Sequence, residues 1–374
     1  MIKVLSVFGT RPEAIKLAPV IRELERRPDA FASRVCVTAQ HREMLDQMLG
    51  LFGIRPDYDL DVMRHDQSLT DVTVAVLAGM RRVFETESPD WVLVQGDTTT
   101  TMAGGLGAFH HGCRVAHVEA GLRTFDKGDP WPEEMNRRVA GVVADLHFAP
   151  TATSAQNLYQ EGISKDRVYV TGNTAIDALK LVASMPFDPT ATPVARIPLE
   201  GRRVIVATMH RRETSRAAME EVCGALLGVA QRHPDVQIVC PVHLNPNVRD
   251  PLHRLLSDVP NITLLPPLDY QPMVWLLQRC HFVITDSGGL QEEVTAIGKP
   301  VLVVRTRTER PEGVAAGTAR LVGTDRETIE TWATRLLSEP DVYERMARST
   351  NPYGSGDAAR KIVDVLREHP RQAS

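Results

Sequence analysis

Short apolar runs rich in Val, Ile and Leu alternate along this chain with stretches whose apolar residues return at helical spacing. That is the pattern of parallel strands covered on both faces by helices. A first series of runs covers Ile2–Phe8, Arg34–Thr38, Trp91–Gln95, Arg114–Val118, Leu146–Ala149 and Val168–Thr171. A stretch containing Pro186, Pro189, Pro193 and Pro198 follows. The second series is Val204–Thr208, Val236–Cys240, Ile262–Leu265, Phe282–Thr285, Val301–Val304 and Arg320–Val322. The pattern predicts an α/β protein of two Rossmann-like domains with parallel sheets, 1–172 and 173–356.

A length of 374 residues exceeds that at which one core usually stops growing, in agreement with two domains. At 43% hydrophobic and only 5% aromatic residues, the cores are aliphatic rather than ring-rich. A net charge of -4 argues against nucleic acid as a partner but leaves room for a local basic pocket. The five cysteines show no C-x-x-C spacing and read as buried, reduced thiols. Met1 leads directly into the first strand, and no later segment is long and apolar enough to span a bilayer, so a cytoplasmic protein without a membrane partner is expected.

In open α/β sheets ligands bind beyond the carboxyl ends of the strands, and six such places carry unusual sequence. At Gly9-Thr10-Arg11-Pro12-Glu13, Thr10 and Glu13 have capping-box spacing. Arg11 and Lys16 beside that helix start would suit a diphosphate. A nicotinamide fingerprint is excluded, because this loop has one glycine where three are needed and Gly104-Gly105-Leu106-Gly107 falls inside a helical stretch. Gln95-Gly96-Asp97-Thr98 ends an apolar strand on an acid that serves equally as a helix cap. Glu119, in His117-Val118-Glu119-Ala120-Gly121, is a carboxylate at a strand end, costly unless paired or used. Glu133 and Glu134 open a helix, where the macrodipole favours acids. Convergence of these acids on one cleft would crowd and desolvate them into an acid/base set. In the second domain, Met209-His210-Arg211-Arg212-Glu213-Thr214 looks like an anion site. Asp286-Ser287-Gly288-Gly289-Leu290-Gln291-Glu292-Glu293 joins a strand to a helix whose bare N–H groups can hold a diphosphate, with Glu293 placed for a ribose.

Together these clusters resemble the signature set of the non-hydrolysing UDP-N-acetylglucosamine 2-epimerases, along essentially the whole chain. The resemblance extends to Thr38-Ala39-Gln40-His41-Arg42, Thr171-Gly172-Asn173-Thr174, Pro241-Val242-His243-Leu244-Asn245-Pro246, Glu309-Arg310-Pro311-Glu312 and Asn351-Pro352-Tyr353-Gly354. It implies the GT-B architecture, two Rossmann-like domains facing a central cleft, with a C-terminal helix at 357–374 returning to the first domain. It also implies interconversion of UDP-N-acetylglucosamine and UDP-N-acetylmannosamine by UDP elimination and re-addition, with no metal or other cofactor. Carried over by position, Asp97, Glu119, Glu133 and His210 are catalytic. Arg11, Lys16, His210, Met273, Ser287, Gly288, Gly289, Glu293 and Arg310 bind substrate or UDP. The resemblance further implies a homodimer and a second UDP-N-acetylglucosamine as activator, at Gln40, Glu43, Gln67, Glu134, Arg211 and His243. The chain departs from the family pattern at Gln95, Thr306-Arg307-Thr308, Met273 and Val294-Thr295-Ala296, none of which removes a catalytic group. The competing functions are a hydrolysing epimerase, a GT-B glycosyltransferase and a sugar-nucleotide-binding regulator without catalysis.

Overall fold

The computed structural model describes residues 1–40, 42–211 and 215–370. The motif residues His41, Arg212, Glu213 and Thr214, and positions 371–374 of the expected C-terminal helix, lie outside the described residues. The chain forms two compact units, one of Met1–Ala178 with the segment from Tyr353 on, the other Leu179–Pro352.

The first unit holds β1 (Ile2–Phe8), β2 (Phe31–Val37), β3 (Tyr58–Asp59), β4 (Trp91–Gln95), β5 (Arg114–Val118), β6 (Leu146–Ala149) and β7 (Val168–Val170). They form one parallel sheet in the order β3-β2-β1-β4-β5-β6-β7. The second unit holds β8 (Arg203–Thr208), β9 (Val236–Pro241), β10 (Ile262–Leu265), β11 (Phe282–Thr285), β12 (Val301–Val303) and β13 (Ala319–Leu321). These are parallel too, in the order β10-β9-β8-β11-β12-β13.

Apolar residues run almost unbroken through the central strands because helices bury both faces of each sheet, as Val4, Leu5, Val7 and Phe8 of β1 and Val92, Leu93 and Val94 of β4 show at 0% exposure. The helix Thr99–His110 carries the glycine run, which lets it settle closely on the sheet: a Cβ at Gly104 would stand 3.3 Å from Val7. The helix Ala358–Glu368 buries Ile362, Val363 and Leu366 on the first unit beside the helix Arg11–Glu25. Asp177 caps it by accepting from the Ala359 amide at 2.9 Å, and Arg27 pairs with Asp364 at 2.6 Å.

In both units the first strand lies between the second and the fourth, so successive connections leave in opposite directions between first and fourth. Such a switch point opens a crevice at the carboxyl ends of the two strands. It lies between β1 and β4 in the first unit and between β8 and β11 in the second. Among the described residues no helix is long and apolar enough to cross a membrane.

Candidate active site

At the first switch point β1 runs out at Gly9, where a Cβ would sit 2.0 Å from Thr38 Oγ1 and 2.7 Å from Thr100 Oγ1, so the turns meet only around a glycine. The helix behind it opens with the capping pair read in the sequence. Glu13 accepts from the Thr10 amide at 2.8 Å and the Gly9 amide at 3.0 Å, while its other oxygen accepts from the Thr98 hydroxyl at 2.6 Å and that of Thr101 at 3.1 Å. Burial pushes the Glu13 carboxyl up, against the opposing pull of these hydrogen bonds. Two of the amides that a diphosphate would seek at this helix start are therefore engaged by the chain's own carboxyl.

Glu119 stands one residue past β5 in a left-handed conformation, φ +65°, which a non-glycine residue holds only when its surroundings fix it. They do so here: its carboxylate is ion-paired with Lys16, and Asn173 Nδ2 approaches at 3.4 Å. Behind it, the buried His117 donates through Nε2 to the Gly96 carbonyl at 2.7 Å. Burial pushes that imidazole down to about 4, so it is a neutral strut between β5 and the Gly96–Asp97 turn. Asp97 is ion-paired with Arg137, whose other nitrogen meets Glu134 at 3.2 Å, and Asn136 Nδ2 donates to the Asp97 carbonyl at 2.9 Å. Glu133, half-buried in the first turn of the helix Glu133–Val143, makes no ion pair among the described residues, and neither does the half-buried Arg11. Glu134, beside it, is fully buried and accepts from the amides of Thr124 at 3.1 Å and Phe125 at 3.2 Å.

At the second switch point Thr208 and Thr285, paired across β8 and β11, share a hydroxyl contact at 2.7 Å. Just beyond, the buried Asp286 accepts from His210 Nδ1 at 2.7 Å and from the His210 and Arg211 amides at 3.0 Å. Burial works against its charge, but the His210 contacts and the backbone donors hold its carboxyl below the ordinary value. Ser287 caps the helix Gly288–Ala296 from the Leu290 amide at 3.4 Å. Among the described residues, a Cβ at Gly288 or Gly289 would meet nothing within 4 Å. One turn on, Glu293 accepts from Tyr270 Oη at 3.1 Å. Met273, on the following turn of the Tyr270 helix, lies partly buried against the core. Arg310 is ion-paired with the buried Glu292. Arg211 reaches Glu309 at 3.2 Å, and Arg305 reaches the same carboxylate at 2.6 Å. Burial opposes the charge of Glu309, yet the two arginines carry its carboxyl down to about 2.

The model of the UDP-N-acetylglucosamine 2-epimerase family matches residues 22–367. The chain belongs to this family. A UDP-N-acetylglucosamine 2-epimerase of Yersinia pestis is 51% identical over 98% of this chain and 99% of its own length, and that of Escherichia coli K12 is 51% identical over 98% and 99%. The crystal structure of UDP-GlcNAc 2-epimerase from Neisseria meningitidis, bound to UDP-GlcNAc, has 47% identity and a TM-score of 0.87, covering 98% of this chain and 100% of that one.

Among the activator candidates inferred from this family, Gln40 accepts from the Thr100 hydroxyl at 3.2 Å, and Gln67 is taken up within its own loop by the Arg64 amide at 2.6 Å and the Val62 carbonyl at 2.9 Å. Glu43 and His243 are exposed. Two residues that build the sites, Arg137 and Asp286, were given no role from sequence, and Glu13 was read only as half of a capping box. The signal for Asp286 was its place directly after β11, but its partner His210 becomes visible only when β8 and β11 are known to be neighbours.

Proposed function

We propose that this chain interconverts UDP-N-acetylglucosamine and UDP-N-acetylmannosamine at C2 without net hydrolysis. The C2 proton passes to a carboxylate of the first unit while the C1–O bond breaks. UDP leaves with the electron pair, and a C1=C2 double bond forms. Return of UDP to C1 and delivery of a proton to the opposite face of C2 give the epimer, so no oxidant or cofactor enters the balance. The observation that carries this reading is the open start of the helix Gly288–Ala296. Its glycines face no atom of the described residues, a site that suits a departing diphosphate, with Glu293 one turn further for the ribose. Asp97, Glu119 and Glu133 are the proton-handling groups, Arg11 and Lys16 meet the substrate, and His210, Met273, Ser287 and Arg310 complete the UDP contacts.

We place the enzyme in the cytoplasm as a homodimer. Its buried thiols Cys36, Cys223, Cys240 and Cys280 suit a reducing compartment. Val74 at 60%, Phe109 at 61% and Val142 at 81% exposure stand on three helices that pack side by side in the first unit, an apolar surface suited to a second copy. A sedimentation mass of one protomer at micromolar concentration would overturn the dimer.

The activity is tested by incubation with UDP-N-acetylglucosamine in deuterated water. The expected result is UDP-N-acetylmannosamine with deuterium at C2; epimer without C2 exchange would count against proton abstraction, and free N-acetylmannosamine with UDP would mark a hydrolysing enzyme. The same assay started from pure UDP-N-acetylmannosamine tests the activator: a lag abolished by a trace of UDP-N-acetylglucosamine supports it, and immediate full-rate conversion removes it.

A further inference from the structure

We infer that Asp286 is a positioning residue that fixes the protonation pattern and direction of the His210 ring, an inference that rests on the role of His210 in the reaction proposed above. Oδ2 accepts from the His210 and Arg211 amides, both at 3.0 Å, while Oδ1 accepts from His210 Nδ1 at 2.7 Å and, at the longer distance of 3.2 Å, from the His210 amide. An ionised carboxylate only accepts hydrogen bonds, so Nδ1 must carry a proton. The other ring nitrogen, Nε2, lies on the far edge of an imidazole whose side chain is 45% exposed, while Asp286 itself is 1% exposed.

The carboxylate is not free to swing. Asp286 follows β11 directly, its amide donates to the Thr208 carbonyl at 3.3 Å, and its own carbonyl accepts from Arg211 Nε at 3.3 Å. The described charged groups facing this pair are Arg211, which is held by Glu309 together with Arg305, and the His243 ring, whose centroid lies 6.3 Å from that of His210. A fixed anion behind Nδ1 holds the ring by its Nδ1–H and turns Nε2 away from Asp286. His210 can then present an Nε2–H to the oxyanion that departs as UDP, and in the neutral ring the same anion selects the tautomer that leaves Nε2 unprotonated. Asp286 touches no reacting atom in this scheme; it acts through His210.

Asp286→Asn separates the two functions. The amide oxygen retains the two backbone donors in the place of Oδ2, and the NH2 group turns toward Nδ1, where it opposes the native tautomer. The expected result is a kcat lowered about 10²–10⁴-fold, as for a histidine forced into the wrong tautomer. UDP affinity measured by calorimetry should change less than about tenfold, since the helix start is untouched. Nitrogen NMR of the neutral histidines should show His210 protonated at Nδ1 in the wild type and at Nε2 in the variant. A kcat within about threefold of wild type, or wild-type His210 protonated at Nε2, overturns the inference. The NMR reading needs no turnover: if the wild type makes no epimer but His210 carries its proton on Nδ1, the proposed reaction fails and the positioning role stands. Should the asparagine variant not fold, the wild-type spectrum alone still decides the tautomer.

Discussion

The two units repeat one strand order and use its switch point in opposite ways. In the first, the helix start after β1 is closed by Glu13, and two of the acids at the neighbouring strand ends and helix are held by cations of the same unit: Glu119 by Lys16 and Asp97 by Arg137. In the second, the helix start after β11 is capped by a single serine, and its glycines meet no atom of the described residues. On the proposed reading the first unit contributes proton-handling carboxylates and the second an anion receptor. The two helix starts differ in what caps them, the Glu13 carboxylate after β1 and the Ser287 hydroxyl after β11.

That contrast can be broken most sharply by exchanging function for affinity. Asp97→Asn keeps the shape of the first site and should lower kcat by about 10²–10⁴-fold, the usual range for loss of a proton-transfer group, with UDP affinity nearly unchanged. Glu293→Ala should do the reverse, weakening UDP about 10–100-fold, as expected for loss of charge-assisted hydrogen bonds to a ribose. Calorimetry beside steady-state kinetics reads both, and a Glu293→Ala enzyme that binds UDP like wild type would remove the ribose assignment.

The glycines give a second, smaller contrast. Gly9→Ala forces a methyl against Thr38 and Thr100 and should cost about 1–3 kcal/mol of stability, seen as a lower Tm. Gly288→Ala meets no atom of the described residues, so its Tm should stay within about 2 °C of wild type while UDP binding weakens. An alanine at position 288 that leaves UDP binding intact would mean that the nucleotide does not approach this helix start.

The smallest effect concerns Glu13. Its carboxyl has an ordinary value of 4.5 when unfolded and a higher one when folded. Between those two values the native state keeps a proton that the unfolded chain releases, so this group's contribution to stability falls as pH rises through the window. Glu13→Gln removes that dependence. The Tm advantage of wild type over the variant should be largest below pH 4.5 and shrink toward neutrality; an advantage that grows with pH would show that the buried carboxyl is stabilised as the anion.

The central strands were legible because burial on both faces leaves an almost unbroken apolar run, as in Trp91–Gln95 and Phe282–Thr285. Tyr58–Asp59 was missed, being a two-residue edge strand with no run to detect. Single residues at strand ends were legible for the same reason that the strands were: Asp97 and Glu119 interrupt apolar sequence. Their partners were not. Arg137 reads as one more base on a polar helix face, and Lys16 as a cation for phosphate, until folding brings them to Asp97 and Glu119. Pairings across tens of residues depend on which strands lie side by side, and that is carried by the order of the sheet rather than by any local pattern.

The docked helix Ala358–Glu368 also bears on how the chain matures. The second unit is one uninterrupted segment, Leu179–Pro352, while the first needs residues from both sides of that segment. During synthesis the second unit can complete its core as soon as Pro352 has emerged. The first must wait, with the flank of the helix Arg11–Glu25 uncovered until Ile362, Val363 and Leu366 arrive to fill it. The unit translated first is therefore the unit finished last, and the interval in between is when an apolar face of the nascent chain stands open to chaperones or to a neighbouring polypeptide.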